Sequence, residues 1–205
     1  MQSHSFQGFG LSKPLTEAVS RQGYTDPTEI QSLAISPMKQ GRDILGTAQT
    51  GTGKTAAFVL PMLDRIVRGE VGTPNSDPKR HAETANAGSP RGRKGGRYRS
   101  NTAYPIALIL APTRELAAQI GESVTAYGAG SGVRHAVIFG GVSKAHQITA
   151  LRRNPHVVVA TPGRLMDLES EHYLDLSAIK IVVLDEGDRM LDMGFIPEVR
   201  DRKST

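Results

Sequence analysis

Five short apolar runs, at Asp43 to Gly46, Ile106 to Leu110, Ala136 to Phe139, Val157 to Ala160 and Ile181 to Leu184, constrain this chain more than any other feature. Runs of this length, rich in Val and Ile and without polar alternation, suit strands buried on both faces of a parallel sheet. Helical patterns fall between them, near Lys54 to Arg68, Arg114 to Tyr127, Ala145 to Arg153 and Pro162 to Glu169. Ahead of these units, Ser12 and Pro14 open a periodic stretch that Gly23 closes, and Thr28 opens another that ends near Gly41. The pattern predicts two leading helices and then an open α/β layer fold, in which ligands gather at the carboxyl ends of the strands.

A chain of 205 residues is long enough for one sizeable core. Cysteine is absent, which excludes a disulfide framework and a thiolate metal site, and the six His residues show no zinc-like pairing. No run approaches the roughly 18 consecutive apolar residues of a spanning helix, and the start MQSHSFQGFG lacks the layout of a signal peptide. These features predict a soluble, unexported, cytoplasmic protein.

Ala48-Gln49-Thr50-Gly51-Thr52-Gly53-Lys54-Thr55 follows a predicted strand and opens a predicted helix, which is the setting a phosphate-binding loop requires. Its glycines let successive N–H groups turn toward phosphate oxygens, and the helix N-terminus adds partial positive charge. Lys54 can reach the terminal phosphates, and the Thr55 hydroxyl can ligate Mg²⁺. The bland alternative is a structural Gly-rich turn. Hydrolysis further needs a metal held beyond the phosphates and a group that orients water. Asp185 and Glu186, at the end of a predicted strand, fit those roles; alone, the pair also fits a solvated turn.

Taken together, the segments from Phe6 to about Arg200 resemble the first RecA-like domain of DEAD-box ATP-dependent RNA helicases. Phe6, Gly23-Tyr24, Pro27-Thr28 and Gln31 are similar to that family's adenine-recognising Q motif, which implies ATP as the nucleotide. Thr28-Glu29-Ile30-Gln31 also reads as a capping box, so Gln31 has a structural alternative. Pro112-Thr113-Arg114, Gly140-Gly141 and Thr161-Pro162-Gly163-Arg164 resemble the family's RNA-contacting motifs, where backbone N–H groups, a hydroxyl and an Arg converge ahead of a helix. Plain N-caps at Thr113 and Thr161, a favourable first helical residue at Pro162 and a tight turn at the glycines are the alternatives. Contacts of this kind grip backbone and 2′-OH, so low sequence specificity is expected. The resemblance further implies ATP and Mg²⁺ as cofactors, with the metal near Thr55 and Asp185 largely through water, RNA as partner, and a role for Asp188 in coupling between domains. AAQIGESV, VIFGGVS and LDMGF are similar to the bacterial RhlE-type subgroup, which would act on structured RNA such as ribosomal precursors or messages.

The resemblance divides the chain into a Q-motif helical region at 1–41 and a RecA-like ATP-binding domain at 42–202. A basic segment interrupts it at 70–104, where seven basic residues face three acidic ones and account for most of the net charge of +5. Rich in Gly, Pro, Ser and Arg, that segment is expected to be disordered, and it serves either as a solvated loop or as an added contact to RNA phosphates. Two departures from the family stand out. Gly187 occupies a place where the family has Ala, which predicts slower or less tightly coupled hydrolysis through added backbone freedom. The sequence also ends at Arg202-Lys203-Ser204-Thr205, ahead of the family's Ser-Ala-Thr motif and second RecA-like domain. The expected sheet therefore lacks its central strand, between the strand of the phosphate loop and that of Asp185, and the γ-phosphate lacks the second domain's arginines. Two expectations follow: a helicase unit that hydrolyses ATP to unwind RNA within the complete protein, or an isolated ATP- and RNA-binding module without efficient turnover.

Overall fold

A computed structural model of the chain describes residues 5–49, 51–73 and 102–192. The order is a 3₁₀ turn at Phe6–Phe9, α1 at Lys13–Arg21, α2 at Glu29–Lys39, α3 at Lys54–Val67, β1 at Ala107–Leu110 and α4 at Arg114–Tyr127. There follow β2 at His135–Ile138, α5 at Lys144–Leu151, β3 at Val157–Ala160, α6 at Pro162–Ser170, β4 at Ile181–Leu184 and α7 at Gly187–Asp192. Most of the basic segment, at 74–101, and Thr50 lie outside the described residues.

The strands form one parallel sheet in the order β2-β3-β1-β4. Successive strand residues point to opposite faces, and both faces are covered. Ala107, Ile109, Val157, Val159 and Ile181 join a core with Leu15, Val19, Ile35, Leu60, Leu63 and Ile120 from α1 to α4. Leu108, Leu110, Val158 and Ala160 join a second core with Leu151, Leu165 and Leu168 from α5 and α6. Central strands β1 and β3 are buried at every position, which is why their sequence carries no polar alternation. β2 lies at an edge, is buried only at alternate residues, and starts one residue before the expected position. Among the described residues no helix is long and apolar enough to cross a membrane.

The expected strand at Asp43–Gly46 is corrected by the structure. That segment carries no strand, and it is exposed throughout, with Leu45 at 98%. The reason is that no strand among the described residues lies beside it: a strand exists only where a neighbour takes its N–H and C=O groups. Among the described residues the outer edge of β4 is likewise unpaired, and Val182 and Leu184, on one face of that strand, are each 48% exposed.

Candidate functional site

All four strands are parallel, so the loops that follow them open at one end of the sheet. Thr113 and Arg114 follow β1, Gly140 and Gly141 follow β2, Thr161 and Arg164 follow β3, and Asp185 follows β4. Pro112, Thr113, Arg114, Gly140, Thr161, Pro162, Gly163 and Arg164 line one concavity of about 580 Å³, together with Glu115 and Asp167. Of the nine residues expected to contact RNA, eight are thus brought together. Gly141, the ninth, adjoins them through Arg114: its φ is +78°, and a Cβ there would collide with the Arg114 guanidinium. That guanidinium also sits 5.8 Å over the Phe139 ring.

The local chemistry of this groove is partly structural. Thr113 caps α4, its hydroxyl accepting from the Leu116 N–H at 3.2 Å, whereas Thr161 makes no such side-chain bond at the start of α6. Arg164 donates to the Val142 carbonyl at 3.3 Å and pairs with Asp167 at 3.3 Å. Lys144 binds Asp167 and Glu171, each at 2.7 Å. The Lys144, Asp167 and Glu171 cluster went unread in the sequence, although the i,i+3 and i,i+4 spacing of Arg164, Asp167 and Glu171 on one helix was visible.

A second concavity, of about 440 Å³, is lined by Thr28, Glu29, Ile30 and Leu33 from the start of α2 and by Thr47, Ala48, Gln49 and Thr52 from the phosphate loop. Gly51 and Gly53 take left-handed φ of +82° and +86°, which only glycine adopts without cost. Lys54 Nζ donates to the Ala48 carbonyl at 2.7 Å, so its ammonium lies inside the loop it serves. The Thr52 hydroxyl closes the turn on the Gln49 carbonyl at 2.7 Å. Thr55 stands in the first turn of α3, half-buried.

Gln31 is 3% exposed. Its Oε1 accepts from the Thr28 N–H at 2.9 Å, and its Nε2 donates to the Gly53 carbonyl at 3.1 Å. The capping role is therefore present, together with a direct tie to the phosphate loop. A Cβ at residue 53 would strike the Gln31 amide, which is a second reason for glycine there. Phe6 and Tyr24 stack with centroids 6.2 Å apart, and Tyr24 leans on Tyr127 at 6.3 Å. Neither Phe6 nor Tyr24 is among the residues lining the concavity.

Asp185 lies close enough to the phosphate loop for Lys54 to act on it. Burial pushes its carboxyl above the ordinary range, the Lys54 charge pulls it down, and the neighbouring Glu186 pushes it up again. The backbone of Asp185 is fixed by its N–H, which donates to the Leu110 carbonyl at 3.0 Å. Glu186 holds a φ of +51°, a conformation uncommon outside glycine, and its carboxylate meets Arg189 at 3.4 Å. Asp188 is exposed in the first turn of α7. At Gly187 an added Cβ would meet only Leu184 Cβ at 3.7 Å, an ordinary contact, so Ala fits there.

A Gly-rich loop entering a helix, with an acidic strand end facing its lysine at the carboxyl edge of a parallel sheet, defines the class of phosphate-loop α/β domains. Within that class the comparison is specific: the family model of DEAD/DEAH box helicases matches residues 28–205, and the chain belongs to that family. It is 41% identical over 196 residues to DEAD-box ATP-dependent RNA helicase 52A of Oryza sativa subsp. japonica, covering 95% of this chain and 30% of that protein. The same identity over the same length holds for DEAD-box ATP-dependent RNA helicase 30 of Arabidopsis thaliana, of which 28% is covered. Among solved structures, a DEAD box protein from the hyperthermophile Methanococcus jannaschii superposes with a TM-score of 0.72 at 32% identity, covering 96% of this chain and 45% of that one. A hypothetical ATP-dependent RNA helicase from Sulfolobus tokodaii gives 0.70 at 31%, covering 92% and 45%. The chain thus spans about a third of the curated relatives and under half of the solved ones.

Proposed function

We propose that this chain is the nucleotide-binding and RNA-binding unit of an RNA helicase, in which ATP hydrolysis drives local unwinding of an RNA duplex. One arrangement carries this reading: Lys54, inside the Gly-rich loop, lies near enough to the half-buried carboxyl of Asp185 for its charge to act there, while the Arg114 and Arg164 groove opens at the same end of the sheet.

In this reading the N–H groups at the start of α3 hold the triphosphate, and Lys54 leaves the Ala48 carbonyl to meet its terminal oxygens. Gln31 reads the adenine edge. Thr28 lines that end of the site, and Phe6 and Tyr24, stacked on each other outside the concavity, are assigned to it by the resemblance alone. Glu186 accepts a hydrogen bond from the attacking water, which displaces the β–γ bridging oxygen from phosphorus. Among the described residues no group of three or more His, Cys, Asp or Glu side chains could hold a metal, so Mg²⁺ would depend on phosphate oxygens and water beside Thr55 and Asp185. Bound there, Mg²⁺ would neutralise charge on the phosphates. Thr113, Arg114, Gly140, Gly141, Thr161, Gly163 and Arg164 grip RNA backbone, and Asp188 stands exposed for contact with a further domain.

A second reading, in which the 205 residues bind ATP or RNA without efficient turnover, has its own observation. The segment leading into the phosphate loop is exposed and outside the sheet, so the loop lacks the strand that would brace it. Phosphate release in the presence of RNA, compared between the parent chain and Lys54→Ala, distinguishes the two. The helicase reading expects release that RNA stimulates and Lys54→Ala abolishes. The binding reading expects no release, yet a thermal shift with ATP and Mg²⁺, worth about 2.7 kcal/mol at a hundredfold excess over Kd, that Lys54→Ala also removes. A Lys54→Ala chain indistinguishable from the parent in both assays would sink both.

A finer placement, in a bacterial RhlE-type subgroup acting on ribosomal precursors or messages, rests on AAQIGESV, VIFGGVS and LDMGF alone. The rice and Arabidopsis relatives lend it no support. The basic segment at 70–104, most of which lies outside the described residues, is proposed only as an added electrostatic contact to RNA phosphates.

A further inference from the structure

We infer that Asp64 is a positioning residue for base recognition: its buried carboxylate pins the far end of α2 to α3, and this holds the Gln31 amide in register with the phosphate loop. The inference rests on the reading of Gln31 as the adenine-recognising group.

Asp64 lies in the third turn of α3 and is fully buried. Its Oδ1 accepts from the Ser12 N–H at 2.6 Å, and its Oδ2 meets Arg68 at 2.8 Å and Lys39 at 3.3 Å. Both cations reach onward to the segment before α1. Lys39 donates to the carbonyls of Phe9 and Gly10 at 2.5 and 2.8 Å, and Arg68 donates to Gly10 at 2.6 Å. One carboxylate therefore gathers the last turn of α2, the third turn of α3 and the chain at 9–12. Burial pushes the Asp64 carboxyl up, but the Ser12 N–H, Arg68 and Lys39 outweigh it and hold the group below its ordinary value.

The position of this cluster is what gives it a role. Gln31, in the first turn of α2, ties to Gly53 just ahead of α3, and Lys39, in the last turn, ties to Asp64. The two helices thus run side by side in the same direction, clamped at both ends by polar contacts. A base that engages the Gln31 amide draws on the near clamp, and the axial register of α2 then depends on the far one. The phosphates are held instead by the start of α3, which the far clamp does not touch. Loosening Asp64 should therefore cost base discrimination before it costs affinity for the triphosphate.

The test compares equilibrium binding of ATP, GTP and inorganic tripolyphosphate to the full chain with Mg²⁺, in the parent, in Asp64→Asn and in Lys39→Met. Asp64→Asn keeps the shape and the acceptor for Ser12 but loses the charge. Lys39→Met cuts the link from Asp64 to α2, together with the Lys39 bonds to Phe9 and Gly10, and leaves Asp64 paired with Arg68 and Gly10 held by Arg68, so it remains informative if the first variant fails to fold. The expected result is about a tenfold loss for ATP, the scale of one charge-assisted hydrogen bond, in both variants, with GTP and tripolyphosphate changed by no more than about twofold. An ATP-to-GTP ratio equal to the parent's in a folded variant would overturn the inference, as would an equal loss for all three ligands. A parent chain with no preference for ATP would instead remove the adenine reading, and this inference with it.

Discussion

At the scale of single residues, the polar side chains that matter most here are those that burial leaves with no second choice. Asp64 is one. Because its folded pKa lies below the ordinary 3.8, its contribution to stability is complete above that value and is lost as pH falls through the folded pKa. In urea melts at pH 7, Asp64→Asn is expected to lower stability by about 1.5–3 kcal/mol, the range for hydrogen bonds to a charged group. The gap should close in acid, where the parent also carries a neutral side chain. A gap that stays the same size at every pH down through the folded pKa would show that the charge contributes nothing. Asp64 could not have been singled out from sequence, because an acidic residue within an apolar helix turn reads equally as a solvated face. The backbone of the Gly-rich loop was legible, since Gly51 and Gly53 take the left-handed φ that favours glycine. For Gln31 the sequence left two readings, and the structure displays the capping bond alongside the tie to Gly53.

Elements were read well where burial alone decides them and badly where a neighbour decides. β1 and β3 were visible as uninterrupted apolar runs because strands buried on both faces leave no polar positions to confuse the pattern. β4 carries the same kind of run although Val182 and Leu184 are half-exposed. Edge strand β2 came out one residue displaced, since its half-exposed pattern blurs the boundary. Asp43–Gly46 has the composition of a strand, but composition cannot supply a pairing partner. Hydrogen exchange tests this difference directly: the amides at 43–46 should exchange at nearly unprotected rates, while those of β1 and β3 exchange only through global opening. Protection at 43–46 comparable to β1 would contradict the unpaired segment. The 3₁₀ turn at Phe6–Phe9 carried no periodic signal at all, being too short to have one.

At the scale of the whole molecule, parallel strand direction does the assembling. Residues scattered from Pro112 to Arg164 meet in one groove because each follows the carboxyl end of a neighbouring strand. The order of motifs along the sequence thus predicted a shared edge, though not the Lys144 and Asp167 ion pair that braces Arg164. If the groove grips RNA through phosphates, Arg114→Ala and Arg164→Ala should each weaken binding almost equally for unrelated single strands. Each should also flatten the slope of log affinity against log salt by about 0.7. A strong dependence on base sequence, or an unaltered slope, would move RNA recognition elsewhere on the molecule.

The two bonds of the Gln31 amide, to Thr28 and Gly53, carry a further implication. Each atom of the amide has made one bond and keeps one more, a lone pair on Oε1 and an N–H on Nε2. If Gln31 reads the adenine edge, the base meets an amide whose orientation the protein has already fixed, and turning it over to suit a ring with donor and acceptor in the opposite order would break both existing bonds. Rejection of the wrong ring would then draw on the protein's own bonds as well as on those to the base.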